Sequence, residues 1–473
     1  MVDRSPNVVI FFTDQQRHDS TGVHGNPLGL TPNFDRLARE QTHVANSFTC
    51  QPVCGPARSC LQTGQYATTT GVWKNGFGLA EDATTLAGCF NAAGYHTGYI
   101  GKWHLAGEHK DTLIGERGPV PEVARGGYKE WLAVEALEFS VHEYKTVLYD
   151  NDNEPVRLPG YRVDAVADAG IQFIDRHQDK PFFLTMSFIE PHHQNNVDDY
   201  PPPDGYREMY DGRWIPPDLA ALPDAHFEDG DENRRTLGGS THRHLGGYWG
   251  MVKRLDEAFG RVMDALKSLD LDRDTIVLFT SDHACHFKTR NPEYKRSCHE
   301  SSIRVPTLLA GPGFEAGGSL PQLVSLVDLP PTLLDACGID VPETMEGRSI
   351  MPLVRRQATD WPDDVFVQIS ESQTGRAVRT KRWKYAVAVP EAGVGGKLPR
   401  GERYVETHLY DLQYDPHELR NLVTSKAHAQ VREVMRDRLL RRIRDVEQYE
   451  PAIDLAEARP SGQNEVTSAE TRR

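Results

Sequence analysis

The chain has no long apolar run. A membrane span needs about 20 consecutive apolar residues, and the first such stretch here, residues 8–12, ends at Thr13 and Asp14. That stretch is also too short for the core of a leader peptide, so a cytoplasmic protein is expected. Positive charge is in deficit, with 53 Lys and Arg against 68 Asp and Glu and a net charge of −15. Such a surface repels nucleic acid and anionic membranes. Neither is expected as a partner, and an anionic substrate would need a local cluster of positive side chains. Cysteine is scarce. The seven thiols are Cys50, Cys54, Cys60, Cys89, Cys285, Cys298 and Cys337. An odd set in a chain without a leader fits free thiols better than a disulfide framework. No internal repeat is visible, and composition does not fix an oligomeric state.

The chain does have length and alternation. Its 473 residues exceed the needs of one small core and predict a large domain with a smaller one after it. Residues 8–13, 97–100, 182–188, 275–280 and 306–310 read as buried strands. Helical patterns lie between them: residues 32–40 after a Thr31 cap, and an apolar stripe of Met251, Leu255, Phe259, Val262 and Leu266. Strands alternating with helices predict an α/β fold, a large, mostly parallel sheet covered by helices on both faces. Residues 107–163 and 195–239 are irregular and read as insertions that shape a pocket. From about residue 362 short strand-like runs at 365–370, 377–379, 383–389 and 407–412 predict a small antiparallel sheet, with a helix over 431–446 against it. The expected division is 1–361, 362–456, and a polar tail at 457–473 without order.

The residues that follow the strands carry the chemistry. Asp14-Gln15, Gly101-Lys102-Trp103-His104, Glu190-Pro191-His192-His193 and Ser281-Asp282-His283 each come after one. In open α/β sheets ligands bind beyond the carboxyl ends of strands. Any one of these could be a strand-end turn or a helix cap; together they bring carboxylates, imidazoles and a lysine to one edge. Asp14, Gln15, Asp282 and His283 form an oxygen-rich set suited to one hard divalent cation, calcium, magnesium or manganese, and the imidazole leaves zinc open.

The segment Cys50-Gln-Pro-Val-Cys54-Gly-Pro-Ala-Arg58-Ser-Cys60-Leu61-Gln-Thr63-Gly64 lacks the paired spacing of a zinc knuckle. A soft thiolate would also suit the cation poorly. Cys54-Gly55-Pro56-Ala57-Arg58 with Leu61, Thr63 and Gly64 resembles the signature of type I sulfatases of the alkaline phosphatase superfamily, in which a maturation enzyme oxidises the cysteine to formylglycine. Thr31 to Asp35, Gly101 to Leu105, Pro191-His192, Asp282-His283, Lys295 with His299 to Ser301, and Tyr410 to Leu412 extend the likeness to about Val446.

The resemblance implies a hydrolase of sulfate esters. Its nucleophile would be hydrated formylglycine at 54, also a ligand of the cation, calcium before magnesium or manganese. Asp282 would accept the nucleophile's proton, and Arg58 and Lys102 would hold and polarise it. Lys102, His192 and Lys295 would bind the sulfate, His192 or Lys295 would protonate the leaving alkoxide, and His104 would assist sulfate release. The expected substrate is a small-molecule or oligosaccharide sulfate, with Trp73, Lys74, Asn75, Gln194, Asn195 and Asn196 as sugar contacts. The alternatives are a phosphodiester or phosphonate monoester hydrolase with the same nucleophile, and a binding protein that keeps Cys54 unmodified. This chain departs from the pattern at Gln15, where a second aspartate is common, at Ala284, where glycine is usual, and in the basic stretch 287–294, which lacks a frequent histidine.

Overall fold

The computed structural model describes residues 5–107, 118–138, 142–222, 241–291, 293–315, 318–357, 360–391 and 393–457. In chain order the strands are β1 (Asn7–Thr13), β2 (Thr42–Phe48), β3 (His96–Lys102), β4 (Glu130–Val134), β5 (Thr146–Tyr149), β6 (Pro155–Leu158), β7 (Phe182–Ser187), β8 (Thr275–Ser281), β9 (Leu308–Ala310), β10 (Gly318–Ser325), β11 (Asp364–Ile369), β12 (Gly375–Thr380), β13 (Trp383–Ala388), β14 (Arg403–Asp411) and β15 (Ala452–Asp454). The principal helices are α1 (Pro32–Glu40), α2 (Cys54–Thr63), α3 (Leu86–Ala92), α4 (Arg162–Arg176), α5 (Thr241–Ser268), α6 (Leu329–Ala336) and α7 (Ala429–Glu447).

Ten strands form one sheet in the order β10-β2-β9-β8-β1-β7-β3-β4-β5-β6. The centre, from β8 through β1, β7 and β3 to β4, is parallel. Every residue of β1, β7 and β8 is buried, as expected for parallel strands covered on both faces. Side chains alternate between the faces. Val8, Ile10 and Phe12 join one core with α2, α3 and α6, while Val9 and Phe11 join the other with α1, α4 and α5. Burying each such side chain contributes about 1.5–3 kcal/mol. The expected strands and the long helical stripe are present. Thr31, however, does not cap α1 with its side chain; its hydroxyl donates to Asp35 Oδ2.

The irregular region 107–163 is corrected by the structure. It contributes β4, β5 and β6, which extend the large sheet at one edge. The second sheet has the order β11-β12-β13-β14-β15. Its first four strands are antiparallel, and β15, not foreseen, pairs in parallel with β14. Helix α7 buries Val431, Met435, Leu439 and Ile443 against this sheet. Residues 458–473, most of the expected polar tail, and 223–240 lie outside the described residues.

Buried histidines make the fold sensitive to acid. Burial, then the Arg304 charge, pushes His24 down to about 3 and His43 down to about 4. Burial with Arg290 nearby brings His286 to about 3 and His408 to about 4. Below about pH 6.5 these groups take protons in the unfolded chain and not in the fold, so stability falls as pH drops. Asp256 and Asp328, raised by burial to about 6, oppose this, because the fold holds their protons more tightly. Near pH 5 four histidines against three aspartates, Asp282 at about 6 being the third, leave about one proton in excess on the unfolded chain, or roughly 1.5 kcal/mol per pH unit. The melting temperature is expected to fall steadily from pH 6.5 to 5; a flat or rising profile would contradict this balance.

Candidate active site

The register of the central strands brings the expected groups together. Thr13 of β1 lies beside Ser281 of β8, so Asp14-Gln15 and Asp282-His283 leave adjacent strands at one level. Gly101 of β3 pairs with Ser187 of β7. A side chain at 101 would start 2.0 Å from the Ser187 carbonyl oxygen, and the residue has φ +110°, so only glycine allows β3 to deliver Lys102 this close. Gln15 (φ 67°) and His104 (φ 61°) are left-handed at non-glycine residues. Such backbone costs energy and is held only where packing fixes it.

Cys54 is the first residue of α2, and Arg58 follows one turn later on the same face. The helix lacks a side-chain cap at Val53; instead Asn75 Oδ1 accepts from Gly55 N at 2.9 Å. Arg58 is buried. It donates to Asp14 Oδ2 (3.0 Å), to the Lys102 carbonyl (3.0 Å) and to Ser187 Oγ (2.7 Å), and lies 3.3 Å from Asp282 Oδ2. It therefore holds both carboxylates in place. Lys102 Nζ sits between Asp14 Oδ2 (2.8 Å) and Glu138 Oε1 (2.9 Å).

Asp14, Cys54, Asp282 and His283 each place a ligand atom within 4.8 Å of the others, and all are buried. Cys54 Sγ is 3.7 Å from Asp14 Oδ1 and 3.3 Å from His283 Nε2. The other His283 nitrogen bonds the Ala284 carbonyl at 3.0 Å, which turns the Nε2 lone pair towards the cluster. Gln15 Nε2 donates to Tyr200 Oη and Cys285 Sγ, while its Oε1 is buried without a hydrogen-bond partner, and Asp282 Oδ2 has only the Arg58 charge at 3.3 Å. Orphaned buried oxygens are costly. Together with Asp14 Oδ1 and His283 they fit a hard divalent cation. The thiol is the ill-suited member of the set.

Charge is focused on Cys54. Lys295 Nζ lies 2.8 Å from its Sγ, 3.0 Å from His192 Nε2 and 3.1 Å from His283 Nε2. The lysine is held by its own carbonyl, which accepts from His286 Nε2 and Asn291 Nδ2. Burial alone would raise the Cys54 thiol pKa, but Lys102, Lys295 and His283 hold it well below its usual value. Burial would also raise Asp14, and Cys54 adds to that; Lys102, His192 and Arg58 outweigh both and keep it ionised. Burial and the Asp14 charge push Asp282 up to about 6. Burial lowers His192, aided by Lys295. His104 is raised despite burial and Lys102, through its hydrogen bond to Cys54 and the Glu138 charge. Two neighbouring carboxylates thus differ in proton affinity, the pattern of an acid–base pair.

All ten residues read from the sequence lie in this cluster or touch it. Glu138 was missed. It is buried, holds Lys102, and is itself brought down to about 2 by Lys102 and His104 against the effect of burial. The signal existed: Glu135 and Glu138 follow β4 as the other acids follow their strands. Gln194 is not free for sugar. It is buried, donating to the Glu138 carbonyl and Asn196 Oδ1 and accepting from Arg162. Asn75 is committed through its Oδ1 to α2, and Asn195 Oδ1 to His193 Nδ1. The seven cysteines are all free thiols.

Residues 6–339 match the family described as Sulfatase, and residues 293–445 match N-sulphoglucosamine sulphohydrolase, C-terminal. An ulvan-active sulfatase of Formosa agariphila is 31% identical over 80% of this chain and 72% of its own length. An arylsulfatase of Clostridium perfringens is 29% identical, over 93% of this chain and 94% of its own. An N-acetylglucosamine-6-O-sulfatase of Bacteroides thetaiotaomicron is 23% identical over 89% and 83%. The YidJ protein of Bacteroides fragilis superposes with a TM-score of 0.79 at 25% identity, covering 94% of this chain and 96% of that one. The phosphonate monoester hydrolase of Agrobacterium radiobacter shares the fold, with a TM-score of 0.71 at 23% identity over 93% and 96%.

Proposed function

The chain belongs to the sulfatase family of the alkaline phosphatase superfamily and is a sulfuric ester hydrolase, and on that footing we propose that its substrate is a sulfated carbohydrate and that Cys54 works as a formylglycine beside one divalent cation, calcium before magnesium or manganese. The observation that carries the reading is the convergence on residue 54 of Lys295, His283 and Asp14. Asp14, Gln15, Asp282 and His283 would hold the cation, which polarises a bound sulfate, and formylglycine supplies a hydrated aldehyde as nucleophile.

The remaining work falls to side chains present in the fold. Lys295 and His192 offer positive charge and a proton at the face of residue 54, where the sulfate oxygens and the leaving oxygen would lie. Lys102 and Arg58 fix the carboxylates. Asp282, raised to about 6, is the carboxylate better able to accept a proton. His104, whose ring nitrogen lies within 4.8 Å of the residue 54 sulfur, is placed to relay a proton when sulfate leaves.

Two relatives whose names specify a sugar polymer or an amino sugar support the carbohydrate reading. So does a half-buried aromatic surface beside the site, where Lys74 Nζ lies over the Trp73 ring at 5.3 Å and the Phe77 ring at 4.9 Å. Sugars stack on such faces, and the ammonium suits an anionic ring substituent. The test compares turnover of sulfated mono- and oligosaccharides, an aryl sulfate and a phosphodiester by one preparation. The carbohydrate sulfates should give the highest kcat/KM. A phosphodiester hydrolysed faster than all of them would replace this reading with the phosphodiesterase one.

Asp14→Ala is expected to remove the bound cation, measured by elemental analysis, together with turnover. It also deprives Arg58 and Lys102 of their shared buried partner, so a stability loss of about 3–5 kcal/mol should accompany it. A variant with full cation content and normal rate would remove Asp14 from the site.

A further inference from the structure

A second cluster of ligating side chains lies at the opposite edge of the large sheet. His96 opens β3, Glu130 opens β4, and His177 follows the last residue of α4. Strand β3 spans seven residues from His96 to Lys102, so this cluster is about 20 Å from the catalytic residues at 3.3 Å per residue. None of the three belongs to a motif read from the sequence, and none takes part in the proposed chemistry.

The geometry is convergent. Glu130 Oε2 is 3.2 Å from His96 Nε2 and 2.7 Å from His177 Nε2. The three ligand atoms all lie within 4.8 Å of one another. The two imidazoles are stacked, with centroids 4.1 Å apart and planes 24° from parallel. Phe173 stands against both rings, at 5.8 Å from His96 and 4.5 Å from His177. Both rings are thus packed into one orientation with the same nitrogen towards one carboxylate oxygen. The other oxygen, Oε1, is occupied by Arg176, which leaves Oε2 as a single, oriented ligand. Side-chain exposures of 32%, 30% and 22% for His96, Glu130 and His177 keep the cluster open to solvent.

Two imidazole nitrogens and one carboxylate oxygen with a side open to water form the ligand set of three-residue zinc sites, whose fourth position is taken by solvent. Calcium and magnesium prefer oxygen and bind such a set poorly; imidazole selects zinc and its neighbours in the transition series. We infer that His96, Glu130 and His177 bind one divalent transition ion, Zn2+ or one of similar softness, which ties the first residues of β3 and β4 to the end of α4. Arg176 is then the group that orients the carboxylate from outside, the role such partners play around metal ligands. The nearby Lys129 does not compete for the carboxylate, since its Nζ donates to the Tyr95 carbonyl.

The test uses the full chain, saturated with Ca2+ and then equilibrated with Zn2+. Wild-type protein should carry one equivalent of zinc per chain that the His96→Ala, His177→Ala double variant lacks. With Co2+ in place of Zn2+, wild type should show the intense visible bands of a low-coordinate ion, and the double variant should lose them. Glu130→Gln, nearly the same in shape, guards against misfolding. Zn2+ should raise the melting temperature of wild type and leave that of Glu130→Gln unchanged, while sulfate ester turnover stays at the wild-type rate in both variants. Equal zinc content in wild type and the double variant would overturn the assignment, as would a wild-type equivalent that disappears in Asp14→Ala. Either result would leave the cluster as an ion-pair network that pins α4 to the sheet.

Discussion

Cys54→Ala is expected to abolish sulfate ester hydrolysis, with a loss on the order of a millionfold, as when a covalent nucleophile is deleted. The reason is positional. Residue 54 is where Lys295, His283 and Asp14 converge, and alanine leaves no atom there to attack sulfur. The fold should survive. The thiol is small, and α2 keeps its surrogate cap through Asn75, so a change of about 1–2 kcal/mol is the scale expected. Cys50→Ser and Cys60→Ser separate the thiols, since both side chains lie in the apolar core; these variants should be somewhat less stable and still active. In active protein the peptide containing residue 54 should show sulfur replaced by oxygen with loss of two hydrogens. Full turnover by protein whose residue 54 is wholly unmodified would end the formylglycine account.

Lys295→Ala should lower turnover by roughly a hundred- to a thousandfold, the usual result of removing a group that meets charge in the transition state. The loss should be larger on an unactivated alkyl sulfate than on an aryl sulfate, whose leaving group needs little protonation. Stability should change little. The residue is buried at 6% exposure, and its ammonium sits 2.8 Å from Cys54 Sγ, 3.0 Å from His192 Nε2 and 3.1 Å from His283 Nε2. Removing it relieves crowding among basic groups but also ends the 2.8 Å contact with Cys54 Sγ, so the melting temperature is expected to change little. Activity lost while stability is kept is the signature of a side chain retained for function. Near-wild-type rates on the alkyl sulfate would show that Lys295 has no part in the reaction.

Strand-end chemistry was legible in the sequence because parallel sheets expose function at their carboxyl edge and the central strands are unbroken apolar runs. The signature around Cys54 was legible for a local reason: Cys54 and Arg58 are one helical turn apart, so their spacing survives folding. What Arg58 touches was not legible, because Asp14 and Asp282 come from strands far along the chain. The strands β4 to β6 were taken for an insertion. Each is only four or five residues long, and Pro155–Leu158 is exposed or half-exposed throughout, so the apolar pattern that marks a strand is weak. Glu138 was lost with them. Asn75 and Gln194 were read as amides for sugar because short-range sequence cannot tell an amide that faces solvent from one that satisfies a buried backbone group.

The pairing of β1 with β8 has a consequence in time. Asn7 to Thr13 meet Thr275 to Ser281 across about half the length of the chain, and a ribosome adding 5–20 residues per second takes on the order of ten to fifty seconds to pass from residue 54 to residue 281. Until then Asp282 and His283 are missing from the surroundings of Cys54. Afterwards it is 1% exposed, closed to any enzyme that must reach its sulfur. An enzyme that alters this thiol would therefore have to act in the interval between its synthesis and the arrival of β8, and the yield of altered protein would be set by a race between that alteration and folding.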